Sequence, residues 1–417
     1  KFAAHILKIY LDRGSIAKEK YVMCLAGLLG NDDLLADLQK LFKEVYEAKR
    51  MKMTQYVIGT MALIGSDKAL RFIEYVSRKF KSKAALSSAA IESLEIAAEE
   101  LGIDIYELSD RIIPDFGFDG LYKTIEVGNE EMRVFVAKDF KLQYITEDNK
   151  IRKSLPKAAS KELKAELKVV QKEIREVNRA QKEKLEQYMV LERRWNFEDW
   201  QKFYLMNPVM FIYASNLVWG LFNEKNEVQN LFYVDEDASL LDFEDDDIEV
   251  DENLHIGIVH PLRTTTEQLE NWTTKFYELE IEQPFNQLTR ASFQVSEDLK
   301  EKKSIDKYNG MPALKGGRAV QGYFEKRGWR KEVSDGGCFD LSKTFKQEGI
   351  YAFLSLQGLC IGYYEEAVEF YEIRFMKIGE WSWKGKGIAL GDIPEIIFSE
   401  VTADMEGIIK NKEDIEQ

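Results

Sequence analysis

Gly30-Asn31-Asp32 and Gly65-Ser66-Asp67 stand 35 residues apart, and the segments around them repeat one another at each apolar position. Leu28 aligns with Leu63, Leu29 with Ile64, Leu35 with Leu70, Leu38 with Ile73, Leu41 with Val76 and Val45 with Phe80. A period of about 35 residues belongs to two short antiparallel helices in a solenoid repeat. One such pair cannot bury its apolar face alone, so the pattern predicts neighbours stacked on a continuous core. Residues 1–119 therefore read as three helical hairpins, with breaks at Gly14-Ser15, Gly30-Asn31, residues 51–54, Gly65-Ser66, Ser82 and Gly102. Asn31 and Ser66 are expected N-caps, each followed by an Asp that suits the positive end of the helix dipole. In the third copy Gly102 and Asp104 keep the phase only after a shift of about two residues, as the end units of a solenoid do.

The period then changes. Residues 124–127, 132–136 and 141–145 are β-rich, short and separated by Gly128-Asn129 and Lys138-Asp139, which predicts a small three-strand β-meander within 120–156. A long amphipathic helix is expected from Lys161 to Arg193, with Leu163, Leu167, Val170, Ile174 and Val177 at alternating four and three spacing. The seam slips by one residue at Leu185 and Met189, favouring packing on a surface over a free coiled coil. Asn196 and Asn207-Pro208 are expected to open two further aromatic-rich helices, so that 157–222 forms the long helix and a helical connector. Residues 223–417 read as an α+β domain with strands at 231–233, 254–258, 351–363 and 368–376. Gly358 and Gly362 in the third of these predict a bulge or a close backbone approach.

The chain has 417 residues, 45% of them hydrophobic and 12% aromatic, enough for two or three buried cores and too apolar for global disorder. No signal peptide, lipidation motif or apolar run of transmembrane length is present, so a cytoplasmic location and no membrane partner are expected. Cys24, Cys338 and Cys360 are few and scattered, which reads as reduced core thiols. The chain opens without Met and with a helix already under way at Phe2, so it is expected to be a fragment of a longer protein. Net charge is −15, yet unevenly spread: residues 235–252 hold eleven acids and no base, whereas 150–194 hold fourteen bases and seven acids. The acidic balance argues against nucleic acid as a partner outside that basic stretch.

The run from Asp242 to Asp251 lacks the central Gly, the alternating ligands and the twelfth-position Glu of a calcium loop, so it reads as a solvated hairpin or loop and no metal is assigned. His260 ends a strand in His260-Pro261-Leu262-Arg263, just before a helix expected to be capped by Thr266. An imidazole there can act as acid, base or anion ligand beside Arg263, or simply hydrogen-bond its own turn. The segment from Glu282 to Arg290 is rich in amides, each offering a donor and an acceptor to a ligand or to a buried loop. These considerations give His260, Arg263, Gln283, Asn286, Gln287 and Arg290 as candidate ligand-binding residues, with Glu400 as a further member. Lys315-Gly316-Gly317-Arg318 lacks the spacing of a phosphate loop, and Lys384-Gly385-Lys386-Gly387 reads as a turn. No catalytic residue and no cofactor are assigned.

The order Leu155-Pro156-Lys157, Arg194-Trp195, Asn207-Pro208, Leu217-Val218-Trp219-Gly220, residues 257–262, residues 283–287, Arg327-Gly328-Trp329 and residues 398–401 resembles an uncharacterised domain of bacterial MolR-like proteins, named for molybdate metabolism regulation. The resemblance covers about residues 120–405. It implies a bacterial cytoplasmic setting, helical repeats ahead of the domain, and a C-terminal domain truncated near Val401, but no catalytic residues. The expected fold is thus α+β and multidomain: an α-solenoid of HEAT-like repeats, a β-meander, a long amphipathic helix and a C-terminal α+β domain. The expected function is a non-catalytic scaffold or regulatory protein that binds protein partners through its repeats, with a small-ligand cleft in the last domain as an option. The alternatives are a nucleotide-responsive sensor or enzyme with a pocket near His260 and residues 283–290, and, from the family's name alone, a DNA-binding regulator.

Overall fold

Seven helices lead the described residues; the breaks at Gly14-Ser15, Gly30-Asn31, Gly65-Ser66 and Gly102 fall between them, whereas residues 51–54, expected as a break, open a helix, and Ser82 lies outside the described residues. A computed structural model describes residues 1–80, 83–333, 337–360, 363–382 and 384–409. Helices α1 (Phe2–Asp12), α2 (Tyr21–Leu29), α3 (Leu35–Glu47), α4 (Met51–Ile64), α5 (Asp67–Lys79), α6 (Ala84–Leu101) and α7 (Ile105–Arg111) come first. Gly65 and Gly102 end α4 and α6 with φ of +67° and +69°, a left-handed conformation that costs glycine little. The Ser66 hydroxyl accepts from the Ala69 amide to cap α5, and Asn31 caps the short 3₁₀ turn that leads into α3. Helix α2 packs on α1 and α4, and α4 packs in turn on α3, α5 and α6. Leu7, Met23, Leu38, Val57, Ile58, Met61, Ile73, Val76, Leu86 and Ala90 are fully buried in their common core.

Strands β1 (Lys123–Val127), β2 (Glu130–Val136), β3 (Leu142–Ile145) and β4 (Ile151–Arg152) follow as an antiparallel meander in sequential order. Alternation sets its buried face: Ile125, Val127, Met132, Val134, Val136, Leu142 and Tyr144 point inward. Helix α8 (Lys161–Val190) comes next, then α9 (Phe197–Trp200) with a π turn at Gln201–Leu205, and α10 (Met210–Ala214). The Asn207 carboxamide accepts from the amides of Val209 and Met210 and so opens α10.

The remaining elements are β5 (Trp219–Phe222), β6 (Val228–Val234), β7 (Leu240–Leu241), β8 (His255–Ile258), α11 (Thr266–Glu278), β9 (Ser304–Ile305), β10 (Met311–Pro312), α12 (Gly317–Lys326), β11 (Arg330–Val333), β12 (Phe339–Phe345), β13 (Ile350–Cys360), β14 (Tyr363–Lys377) and α13 (Glu395–Glu406). They form an antiparallel sheet in the order β7-β6-β5-β8 and a larger antiparallel sheet β10-β14-β13-β12-β11, with β9 also on β14. The β13–β14 register shifts around Gly358, whose φ is +101°, so the expected bulge is present; Gly362 lies outside the described residues. Thr265 caps α11, one residue earlier than expected, because Gln268 closes a capping box with it. Cys338 and Cys360 lie across the β12–β13 pairing and form a disulfide, and neither they nor Cys24 is buried, which corrects the reading of three reduced core thiols. Their separation of 22 residues is hairpin closure, which the spacing alone does not reveal.

By compactness the chain falls into two units, one of Lys1–Glu183 with Phe197–Ser215 and one of Lys184–Asn196 with Asn216–Gln417. No helix among the described residues is long and apolar enough to cross a membrane.

Candidate functional site

Helix α13 explains why charge gathers in the second unit. It is buried on nearly every side, with Ile396, Ile397, Phe398, Val401 and Met405 in the core, yet it also carries Glu400 and Asp404 inward. A carboxylate removed from water must be paired and hydrogen-bonded or it neutralises. Glu400 is 3% exposed, and the Arg290 guanidinium donates to both of its oxygens, with Nε at 2.5 Å from Oε1. The same guanidinium reaches Glu186 Oε1 at 2.7 Å. Burial pushes the Glu400 carboxyl up, but the hydrogen bonds from Arg290 and His260 outweigh it and hold the group down at about 2. Arg290, although desolvated, is held above its ordinary range by Glu400.

His260 completes the cluster. Its Nδ1 accepts from the Leu262 amide at 3.2 Å, which leaves the ring proton on Nε2 to donate to Glu400 Oε1 at 3.3 Å. Both ring nitrogens are thus engaged. Gln287, 1% exposed, ties the neighbouring strand ends together. Its carbonyl accepts from the Val218 amide and from Gln283 Nε2, and its NH₂ donates to the carbonyls of Val218 and Val259. Every hydrogen-bonding position of that side chain is filled. Gln283 also accepts from the Leu288 amide, while Asn286 is exposed and its backbone carbonyl lies 3.4 Å from Arg290 Nη1.

Arg263 belongs to a separate network. Its guanidinium grips Glu192 with two hydrogen bonds of 2.8 Å, and Arg194 and Asn226 donate to the same carboxylate at 3.1 and 3.0 Å. Desolvation of Glu192 is outweighed by Arg263, and its carboxyl is held below the usual range. Arg194 Cζ lies over the Phe222 ring, 3.5 Å from its centroid. Gly257 makes the room: a Cβ there would sit 2.4 Å from Arg194 Nη1.

The structure therefore brings His260, Arg290 and Glu400 together, joins Gln283 and Gln287 to the adjoining strand ends, and places Arg263 with Glu192. Two open clefts, one lined by Lys303, Trp381 and Asp392 and one by Lys141, Tyr144 and Lys168, include none of the candidates. What the cluster does chemically is hold a buried helix by a closed set of charge-assisted hydrogen bonds.

Two features were not anticipated. Asp404, one turn after Glu400, accepts from Trp329 Nε1 and Lys343 Nζ, each at 2.8 Å. Two carboxylates four residues apart in the apolar run 396–405 are the signal that could have found it. In the acidic hairpin, the buried Lys275 ammonium donates to the Phe243 carbonyl and to Asp245, each at 2.6 Å, and Tyr233 donates to the same carboxylate at 2.7 Å. The acidic stretch is thus neutralised in part by a cation from α11. The hydrogen bonds from Lys275 and Tyr233 hold Asp245 below the usual carboxylate range. Among the described residues no cluster of three or more His, Cys, Asp or Glu is arranged to hold a metal.

The model of a family described as a domain of unknown function (DUF4132) matches residues 150–329, the stretch holding α8, the β5–β8 sheet and most of the candidates. An uncharacterised protein, YehI of Escherichia coli (strain K12), is 24% identical over 352 residues, which are 82% of this chain. The aligned stretch is only 29% of that protein's length. No solved structure matches.

Proposed function

We propose that this chain is a non-catalytic scaffold or regulatory segment of a bacterial cytoplasmic protein of MolR-like type, binding partner proteins through an N-terminal solenoid of HEAT-like repeats. Contacts one repeat apart support the solenoid: Arg50 donates to the Ser15 carbonyl, Ser66 to the Asp32 carboxylate and Ser109 to Glu74, at separations of 35, 34 and 35 residues. So does the stacking of α2 on α4 and α4 on α6.

One observation carries the partner reading. The outer faces of α2, α4 and α6 expose Leu25, Leu28, Leu29, Leu63 and Ile96 at 44, 63, 62, 42 and 51%, with Tyr21 and Tyr56 beside them. Singly exposed leucines are ordinary; several on helices that pack in succession support the reading of an interaction surface. The closed state of the His260 cluster supports a structural role there over a reaction.

The test compares wild type with Leu28→Asp/Leu63→Asp in quantitative affinity capture from bacterial lysate. The variant is expected to lose its specific partners at least tenfold while its melting temperature stays within about 2 °C, because exposed substitutions rarely shift stability by more than about 0.5 kcal/mol. An unchanged partner set, or no specific partner for wild type, refutes the proposal.

A further inference from the structure

A second surface in the first unit has a different chemistry. Between β3 and the first turns of α8 lies an open cleft of about 400 Å³, with Lys141, Lys153, Lys164 and Lys168 on its walls and Leu142 and Tyr144 at its base. Its shape is fixed. The Gln171 side chain bridges the two walls, accepting from the Leu142 amide and donating to the Phe140 carbonyl, both at 2.9 Å. Ser160 caps the helix by accepting from the Leu163 amide at 3.0 Å.

The lysines are placed against the stability of the helix that carries them. Lys164 and Lys168 are four residues apart, the spacing at which like charges repel. Lys164 closes the first turn of α8, where the helix dipole is positive and favours anions. Only one acid, Asp139, lines the cleft, and it is already spent on Lys141 at 2.6 Å. Lys164 reaches a carbonyl, that of Lys157, at 3.4 Å. Neither Lys153 nor Lys168 is paired with a carboxylate among the described residues. Four lysines and a single carboxylate thus line one cleft beside the start of α8, within the most basic stretch of an otherwise acidic chain.

We infer that this cleft binds a small oligophosphate, a chain of two or three linked phosphates either free or carried on a nucleoside. The cavity is too small for a duplex. The non-bridging oxygens would take the ammonium groups of Lys153, Lys164 and Lys168, with the Gln143 carboxamide beside them. Ligand charge removes the repulsion that the empty cleft sustains, so binding and helix stability are coupled.

Titration calorimetry of the full chain in 100 mM NaCl tests it, with inorganic tripolyphosphate, ATP, sulfate and a 16-base-pair duplex as separate ligands. Saturable binding of tripolyphosphate, at least tenfold tighter than sulfate, is expected. Lys153→Gln/Lys168→Gln is expected to weaken it at least fivefold without lowering the ligand-free melting temperature, whereas Lys172→Gln, outside the cleft, changes it less than twofold. ATP binding tighter than tripolyphosphate assigns the nucleoside form; weaker or equal binding assigns the free chain. Absence of saturable tripolyphosphate binding, a smaller effect of the double variant, a lowered ligand-free melting temperature, or tighter binding of the duplex each overturns the assignment.

Discussion

The two compact units bury charge to different extents. In the first, the helical core is mostly apolar: the hydroxyls of Thr54, Thr60 and Ser87 are buried on backbone carbonyls, and Asp110 is a buried carboxylate near its end. In the second, Glu400, Asp404, His260, Lys275 and Gln287 are buried and every one is answered by a named partner. An apolar helical array is set by volume and tolerates slow change across its outer face. A polar network demands specific groups at specific distances, and losing one member strands the others. Variation at the first unit's surface is therefore open to recognition, while the second unit's buried residues are committed to holding its fold.

The sharpest way to break this contrast is Arg290→Met. It leaves Glu400 buried with His260 as its remaining neighbour, and stability is expected to fall by about 3–5 kcal/mol in chemical denaturation at pH 7. The double variant Arg290→Met/Glu400→Leu is expected to recover most of that, because apolar residues of similar size replace a buried pair at little cost. Acid provides the check on mechanism. Glu400 titrates at about 2 in the folded chain against an ordinary 4.5, so its contribution is complete above pH 4.5 and is lost as pH falls toward 2. Without Arg290, burial raises the same carboxyl, so the variant gains stability on acidification. The two stability curves are expected to converge between pH 5 and pH 3; curves that stay parallel would mean that Arg290 acts only through packing.

The contrast also marks what was legible in the sequence. Elements set by neighbours along the chain could be read: the caps at Asn31 and Ser66, the meander of residues 123–152, the long helix from Lys161, and the bulge at Gly358. Residue types also pointed to the area of His260, Arg290 and Glu400. What the residues do there could not be read, because the pairing of Arg290 with Glu400 spans 110 positions and leaves no periodic trace. An amide such as Gln287 looks the same whether it faces a ligand or, as here, two strand ends. Lys275 was hidden for a similar reason: on a helix with polar neighbours a lysine reads as solvated, and only the fold brings Phe243 and Asp245 to it.

A smaller effect sharpens the apolar side of the comparison. A Cβ on Gly27 would stand 2.7 Å from the Thr60 carbonyl and 3.0 Å from Leu63 Cβ, so α2 approaches α4 too closely for any larger residue. Helix propensity favours alanine over glycine by about 1 kcal/mol, and overpacking against backbone costs about 1–3. Gly27→Ala is thus expected to destabilise by up to about 2 kcal/mol on balance. Gly59 in α4 has nothing within 4 Å of its Cβ direction, so Gly59→Ala is expected to stabilise by up to about 1 kcal/mol. Equal effects from both substitutions, measured by urea titration, would mean that the α2–α4 approach does not constrain the first unit.

The finest distinction concerns how one helical repeat is tied to the next. Ser66 does two jobs: its oxygen caps α5 by accepting from the Ala69 amide at 3.3 Å, and its hydroxyl donates to Asp32. Asn31, the equivalent cap 35 residues earlier, accepts only from the Asp33 amide at 3.2 Å and opens a single 3₁₀ turn. Ser66→Ala is therefore expected to cost about 1 kcal/mol and Asn31→Ala about half as much. Because Asp32 answers Ser66 directly, the loss in Asp32→Ala/Ser66→Ala is expected to fall short of the sum of the single losses by at least about 0.5 kcal/mol. Additive losses in that cycle would show that the caps act within their own helices, and the contacts at separations of 34 and 35 residues would then report spacing without coupling between repeats.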